Sequence, residues 1–247
     1  MIETPVLVVF LAALLTALAT GLGALPLLAA RHMSARWLAL ANAAAAGLML
    51  AACYSLIVEG FAFDVRRTLA GIVLGLIFIV LAGRWLHRHE DVSVAEVTGA
   101  DAKRILLIVG IMTLHSAAEG VGVGVAYGGG RTLGDFITAA IALHNVPEGL
   151  AISLVMVPRG ATVVKAAGWS IFSSLPQPLL AVPAFVFVLI FQPWLPVGLG
   201  LAAGAMFWMV FAELIPEANE QAQPETVGIV VTLSFALMLG VQTLLEA

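Results

Sequence analysis

Charge is scarce in this chain. Only 11% of its 247 residues are Asp, Glu, Lys or Arg, against about 25% in a soluble domain. The length suits one or two soluble domains, but so few charges cannot build a soluble surface. No run of basic residues is present and the formal net charge is −4, which excludes a nucleic-acid partner. The single cysteine, Cys53, lies inside an apolar stretch. An intramolecular disulfide is therefore impossible, and the thiol reads as a small buried apolar group. The first apolar stretch has no basic segment ahead of it and no clear cleavage site behind it. It is expected to be a retained helix, not a signal peptide.

Apolar residues fill the space that charge leaves. They make up 62% of the chain, and its mean hydropathy is +1.07. A helix needs about 20 apolar residues to cross a hydrocarbon core ~30 Å thick. Apolar runs and their polar breaks give eight such segments, expected near 4–29, 37–59, 68–87, 104–127, 133–157, 163–191, 197–221 and 225–246. The chain thus reads as an all-α membrane protein with one transmembrane domain over 1–247. The longest connection, around His87-Arg88-His89-Glu90-Asp91, is too short to hold a soluble domain.

Basic residues favour the cytoplasmic side of a membrane. With both termini outside, the inner loops hold Arg31, Arg36, Arg84, Arg88, Lys103, Arg104, Arg159 and Lys165, and the outer loops only Arg66, Arg67 and Arg131. Eight against three favours that orientation. Minimal loops and the lack of a targeting segment make a bacterial inner membrane the simplest expectation, with an organelle membrane as the alternative. The segments are rich in Ala and Gly, which let membrane helices approach closely.

Charges within a span are expensive and mark function. The fourth segment holds His115 and Glu119, the fifth His144 and Glu148, and the seventh Glu213, with Glu217 and Glu220 towards its end. His115-Ser116-Ala117-Ala118-Glu119-Gly120 and His144-Asn145-Val146-Pro147-Glu148-Gly149 share the pattern His-x-x-x-Glu-Gly. Spacing i, i+4 stacks His and Glu on one helix face. Two such faces on consecutive antiparallel helices point two imidazoles and two carboxylates at one another. That set suits a divalent transition metal such as zinc, iron or manganese. Pro147 removes a backbone donor and frees the carbonyl of Leu143 beside His144, and Pro176 and Pro178 are expected to open the sixth helix around Gln177.

Other features carry two readings each. Glu59, Asp64 and Asp135 at the outer ends form either a cation-concentrating vestibule or ordinary interfacial charges. Glu213 and Glu217 mark an acidic exit. His87 and His89, with Glu90 and Asp91, make a weak inner acceptor. A zinc hydrolase of the His-Glu-x-x-His type is not encoded, nor is a nucleophile elbow or a phosphate loop. An intramembrane metal-dependent hydrolase and a metal sensor without flux stay as alternatives to a transporter.

The two His-x-x-x-Glu-Gly motifs resemble the fourth- and fifth-helix signatures of the ZIP family of divalent-metal transporters. Thr20-Gly21-Leu22-Gly23-Ala24-Leu25-Pro26, Ala45-Ala46-Gly47-Leu48-Met49-Leu50, Ala203-Gly204-Ala205-Met206 and Glu213-Leu214-Ile215-Pro216-Glu217 resemble its first, second and seventh helices. The resemblance implies eight helices in a 3+2+3 arrangement with inverted repeats and transport of zinc, iron, manganese or cadmium into the cytoplasm. It implies that helices one, four, five and six slide as a unit against the others, and it suggests a homodimer. The metal is then cargo and no separate cofactor is required. One metal position takes His115, Glu119, His144 and Glu148. The family's second position falls on Ser116, Asn145, Glu119, Glu148 and Gln177. Gln177 stands where the family has Glu, and Ser116 where it has Asn. Two carboxylates offset one divalent ion, and a second ion would be left uncompensated in a low-dielectric site. One tight position with a weak or empty second is the expectation.

Overall fold

The computed structural model describes residues 5–29, 34–88, 100–157 and 160–246, with the side chains of 86–88, 100–108, 111 and 245–246 outside the description. Among the described residues every regular element is helical. The helices are α1 (Val6–Leu22), α2 (Pro26–Ala29), α3 (Ala35–Phe63), α4 (Val65–Arg88), α5 (Ala100–Gly129), α6 (Arg131–Met156), α7 (Val163–Ser174), α8 (Pro176–Ile190), α9 (Leu195–Met209), α10 (Ile215–Gln221) and α11 (Pro224–Glu246). A 3₁₀ turn, Gln192–Trp194, precedes α9, and a π-helical turn, Val210–Leu214, joins α9 to α10.

Three of the expected segments are interrupted, each beside a proline. A proline lacks the N–H that a continuing helix would use. The first segment breaks after Leu22 and resumes at Pro26; the sixth breaks at Leu175 and resumes at Pro176. In the seventh, the π-helical turn lies just ahead of Pro216. By contrast α6 runs through Pro147 without a break. Helix ends also overrun the expected limits, as in α3, which exceeds 37–59 on both sides.

Among the described residues seven stretches, from Val6–Ala29 to Pro224–Leu244, are long and apolar enough to cross a membrane. The protein is an all-α membrane protein. Its polarity is inverted accordingly. Leu69, Val73, Ile77 and Leu81 on α4, and Ile229, Leu233 and Leu237 on α11, are exposed. Thr16, Thr20, Ser116, Glu119, His144, Asn145, Ser170, Ser174 and Gln177 are buried. A continuous apolar patch of this extent is tolerable against lipid and not against water.

Small residues set which helices touch by backbone. α1 packs on α6, α5 on α8, α4 on α9 and α3 on α11. A Cβ at Gly149 would collide with the backbone of Thr20, one at Gly124 with Ala181, one at Gly204 with Ile72, and one at Gly47 with Val231. With α5 also packed on α6, α1 on α8 and α3 on α9, these pairs join into one group of α1, α5, α6 and α8 and another of α3, α4, α9 and α11. Where the groups meet, the glycines face side chains instead of backbone: a Cβ at Gly198 of α9 would meet the Val125 methyls of α5 at 3.0 Å. A Cβ at Gly122 of α5 would meet Ala202 at 3.4 Å and the Met206 methyl at 3.7 Å, both ordinary van der Waals distances.

Candidate metal centre

α5 and α6 are separated by one residue, Gly130, whose φ of 148° lies where only glycine sits without steric cost. The chain therefore reverses in a single step, and the His-Glu face of α5 is returned beside that of α6. Glu119, His144 and Glu148 converge: one ligand atom from each lies within 4.8 Å of the others. His144 Nδ1 is 3.2 Å from Glu119 Oε1, and His144 Nε2 is 4.0 Å from Glu148 Oε1. All three side chains are at most 5% exposed.

This geometry is poor for hydrogen bonding and good for an ion. Glu119 Oε1, His144 Nδ1 and His144 Nε2 are buried without a hydrogen-bond partner. Each such atom costs about 1–3 kcal/mol, so their concentration at one point needs a physical cause. Zinc holds nitrogen and oxygen ligands at about 2.0–2.2 Å in a tetrahedron, which puts ligand atoms about 3.3–3.6 Å apart. The three atoms, within 4.8 Å of one another, reach that spacing if the wider separations close by about an ångström. The two carboxylates match its charge.

His115, expected beside these ligands, lies with its Nε2 2.7 Å from Glu213 Oε2. The same helix face thus supplies Glu119 to the cluster and His115 to the π-helical turn. π-helical turns inside α-helices are frequent at functional sites, and this one carries Glu213 to the imidazole.

The residues of the second position form a hydrogen-bonded set. Gln177 Nε2 donates to Glu119 Oε2 at 2.6 Å. Its Oε1 accepts from Thr16 Oγ1 at 2.5 Å and from Asn145 Nδ2 at 3.1 Å. Asn145 Nδ2 also donates to the Thr16 carbonyl at 2.8 Å. Ser116 Oγ donates to Ser174 Oγ at 3.5 Å, and Ser174 Oγ is 2.8 Å from Thr20 Oγ1. The break at Leu175 brings Gln177 to Glu119, since Pro176 starts α8 one residue ahead of it. Thr16, which belongs to neither His-x-x-x-Glu-Gly motif, thus joins the site. Its signal was an i, i+4 pair of threonines, Thr16 and Thr20, in an otherwise apolar helix.

Three of the remaining acids have partners of their own. Glu217 Oε2 accepts from Asn42 Nδ2 at 3.0 Å. Asp64 accepts from the Arg67 backbone N–H at 2.9 Å and lies 3.7 Å from its guanidinium. Asp135 accepts from Tyr127 Oη at 2.7 Å and lies 3.5 Å from Arg131. Two of the three vestibule acids thus face nearby arginines. His89, Glu90 and Asp91 lie outside the described residues, and so does the side chain of His87.

Known proteins are similar to this chain. A family model described as ZIP zinc transporter matches residues 83–246. A protein of Arabidopsis thaliana provisionally named a zinc transporter is 45% identical over 94% of this chain, which spans only 38% of that relative's length. The zinc transporter ZIPB of Bordetella bronchiseptica is 35% identical, covering 92% of this chain and 78% of its own. The zinc transporter GufA of Myxococcus xanthus is 30% identical, covering 92% and 96%. The family model takes in both helices of the buried His and Glu cluster, and the two bacterial relatives match over 92% of this chain: the chain belongs to the ZIP zinc transporter family.

Proposed function

We propose that this protein carries divalent metal ions, zinc foremost, across a membrane into the cytoplasm, with Glu119, His144, Glu148 and His115 as its intramembrane ligands. The observation that supports this most is the group of buried, partnerless ligand atoms on Glu119 and His144. The names of the relatives favour flux over the hydrolase and sensor alternatives.

In this reading eight helices in a 3+2+3 arrangement span a bacterial inner membrane with both termini outside. The metal sheds water, binds the two carboxylates and the imidazoles, and leaves when exposure of the site alternates. No covalent bond is made. Backbone-to-backbone packing within the two helix groups and side-chain packing between them at Gly122 and Gly198 favour movement of one group against the other. The exposed faces of α4 and α11 meet lipid or a second copy of the chain. Glu213 and Glu217 line the inward path, and His115 hands the ion from the cluster to Glu213.

One metal is bound tightly at a time. The Gln177 amide donates to Glu119 where a third carboxylate would otherwise help hold a second ion. Ser116, Asn145 and Gln177 then act as neutral groups that order Glu119. Zinc flux into proteoliposomes holding the purified chain tests the function. Uptake that is lost in Glu148→Ala, with the variant still folded and inserted, is expected. Full uptake by that variant rejects the site.

A further inference from the structure

Beside the metal cluster a cavity of about 390 Å³ lies between α4, α5 and α9. His115 and Glu213 line it at one point, and Ile79, Leu114 and Trp208 form apolar walls. Arg84 also lines it, one helical turn and more beyond Ile79 towards the end of α4. Arg84 is exposed and has no hydrogen-bond or ion-pair partner among the described residues. Topology explains a basic residue near this end of the bundle, but not a guanidinium in the wall of a cavity that reaches the metal ligands.

A guanidinium repels a bare divalent cation leaving past it. The same group becomes favourable once the cation leaves inside an anionic complex. Arg binds carboxylates through a planar fork of donors. The cavity volume falls in the range of small-molecule sites, about 300–1,000 Å³, and mostly apolar walls with a few convergent polar groups are typical of them.

We propose that this cavity is a docking site for a small polycarboxylate chelator, which places a carboxylate on Arg84 and takes the metal from His115 and Glu213. The inference rests on the transport reading and names the acceptor for it. The step is ligand exchange. Metal–nitrogen and metal–oxygen bonds to His115 and Glu213 break as metal–oxygen bonds to the chelator's carboxylates form. No electron is transferred. Arg84 is a binding residue for the acceptor, and the product leaves as an anion that the guanidinium no longer repels.

The test uses the full chain in proteoliposomes with zinc outside and citrate inside. Interior free zinc is clamped to one value either by citrate or by a chelator coupled to dextran, which is too large for the cavity. Uptake is expected to be several-fold faster with citrate and to saturate as citrate is raised. Arg84→Gln should remove the acceleration and raise the citrate-free rate, because a repelling charge is gone. Arg84→Lys, which keeps the charge, should retain most of the acceleration. Equal rates with citrate and dextran chelator, or an acceleration that survives Arg84→Gln, overturns the proposal. Calorimetric titration of the zinc-free protein with citrate reads the site without flux. Saturable binding that is lost in Arg84→Gln is expected, and absence of saturable binding overturns the proposal. If no vesicle takes up zinc, it is the transport reading that fails, and the titration still decides the anion site.

Discussion

His115 Nε2 lies 2.7 Å from Glu213 Oε2, although His115 sits one turn from Glu119 on the same face of α5. The imidazole therefore has two competing sets of partners: the cluster of Glu119, His144 and Glu148, and the carboxylate on the π-helical turn. It links a helix of one packed group to a helix of the other. His115→Ala should lower zinc uptake severely, by tenfold or more, about 1.4 kcal/mol of lost metal stabilisation. Glu213→Ala should be milder, because the cluster keeps its own ligands. Proteoliposome flux with both variants checks the order. A Glu213 variant as impaired as the His115 variant would make the pair itself essential.

Metal binding should follow the cluster. Glu119→Ala or His144→Ala leaves too few ligands for the ion, and calorimetry on detergent-solubilised protein should show affinity falling by at least two orders of magnitude, about 2.7 kcal/mol. His144→Ala should insert and stay folded, since it removes buried atoms without a hydrogen-bond partner; Glu119→Ala also removes the acceptor of the Gln177 amide and should cost some stability as well.

Gln177 should govern how many ions are held. Gln177→Glu replaces the amide that donates to Glu119 with a third carboxylate near Asn145. The charge then suffices for more than one divalent ion, so metal per chain should rise from one towards two. Anomalous diffraction or elemental analysis of purified protein counts it. Two full ions in the unsubstituted chain would remove the one-metal reading.

Acid should inhibit. Imidazole and carboxylate bind metal only when deprotonated, so protons and zinc compete for the same lone pairs. Apparent affinity must fall as pH falls, and saturating zinc should restore most of the rate. Uptake measured against zinc concentration at several pH values tests the sign. A pH effect on the maximal rate alone would place the titrating group outside the metal site.

Two glycine substitutions should part company. Gly204→Ala drives a Cβ into the backbone of Ile72, and overpacking of this kind costs about 1–3 kcal/mol. Gly122→Ala meets Ala202 and Met206 at ordinary distance and should leave stability near the parent's. Thermal melts in one detergent compare them directly.

The helical class and the place of most segments are legible from apolar runs. The interruptions are legible only in part. Pro147 and Pro176 look alike in sequence, yet α6 continues through the first and the chain breaks ahead of the second. Neighbouring helices decide which freed backbone groups are tolerated. The π-helical turn ahead of Pro216 has no sequence signal beyond that proline.

Scarcity of charge determined the membrane class, because so few ionic groups cannot cover a soluble surface. The paired His-x-x-x-Glu-Gly motifs determined the chemistry, because spacing i, i+4 fixes which side chains share a helix face. Which partner each group meets was decided by tertiary structure. The break at Leu175 brings Gln177 onto Glu119, and the turn at Val210–Leu214 brings Glu213 onto His115. Periodicity places a side chain on its own helix; only the packing of other helices places the partner opposite it.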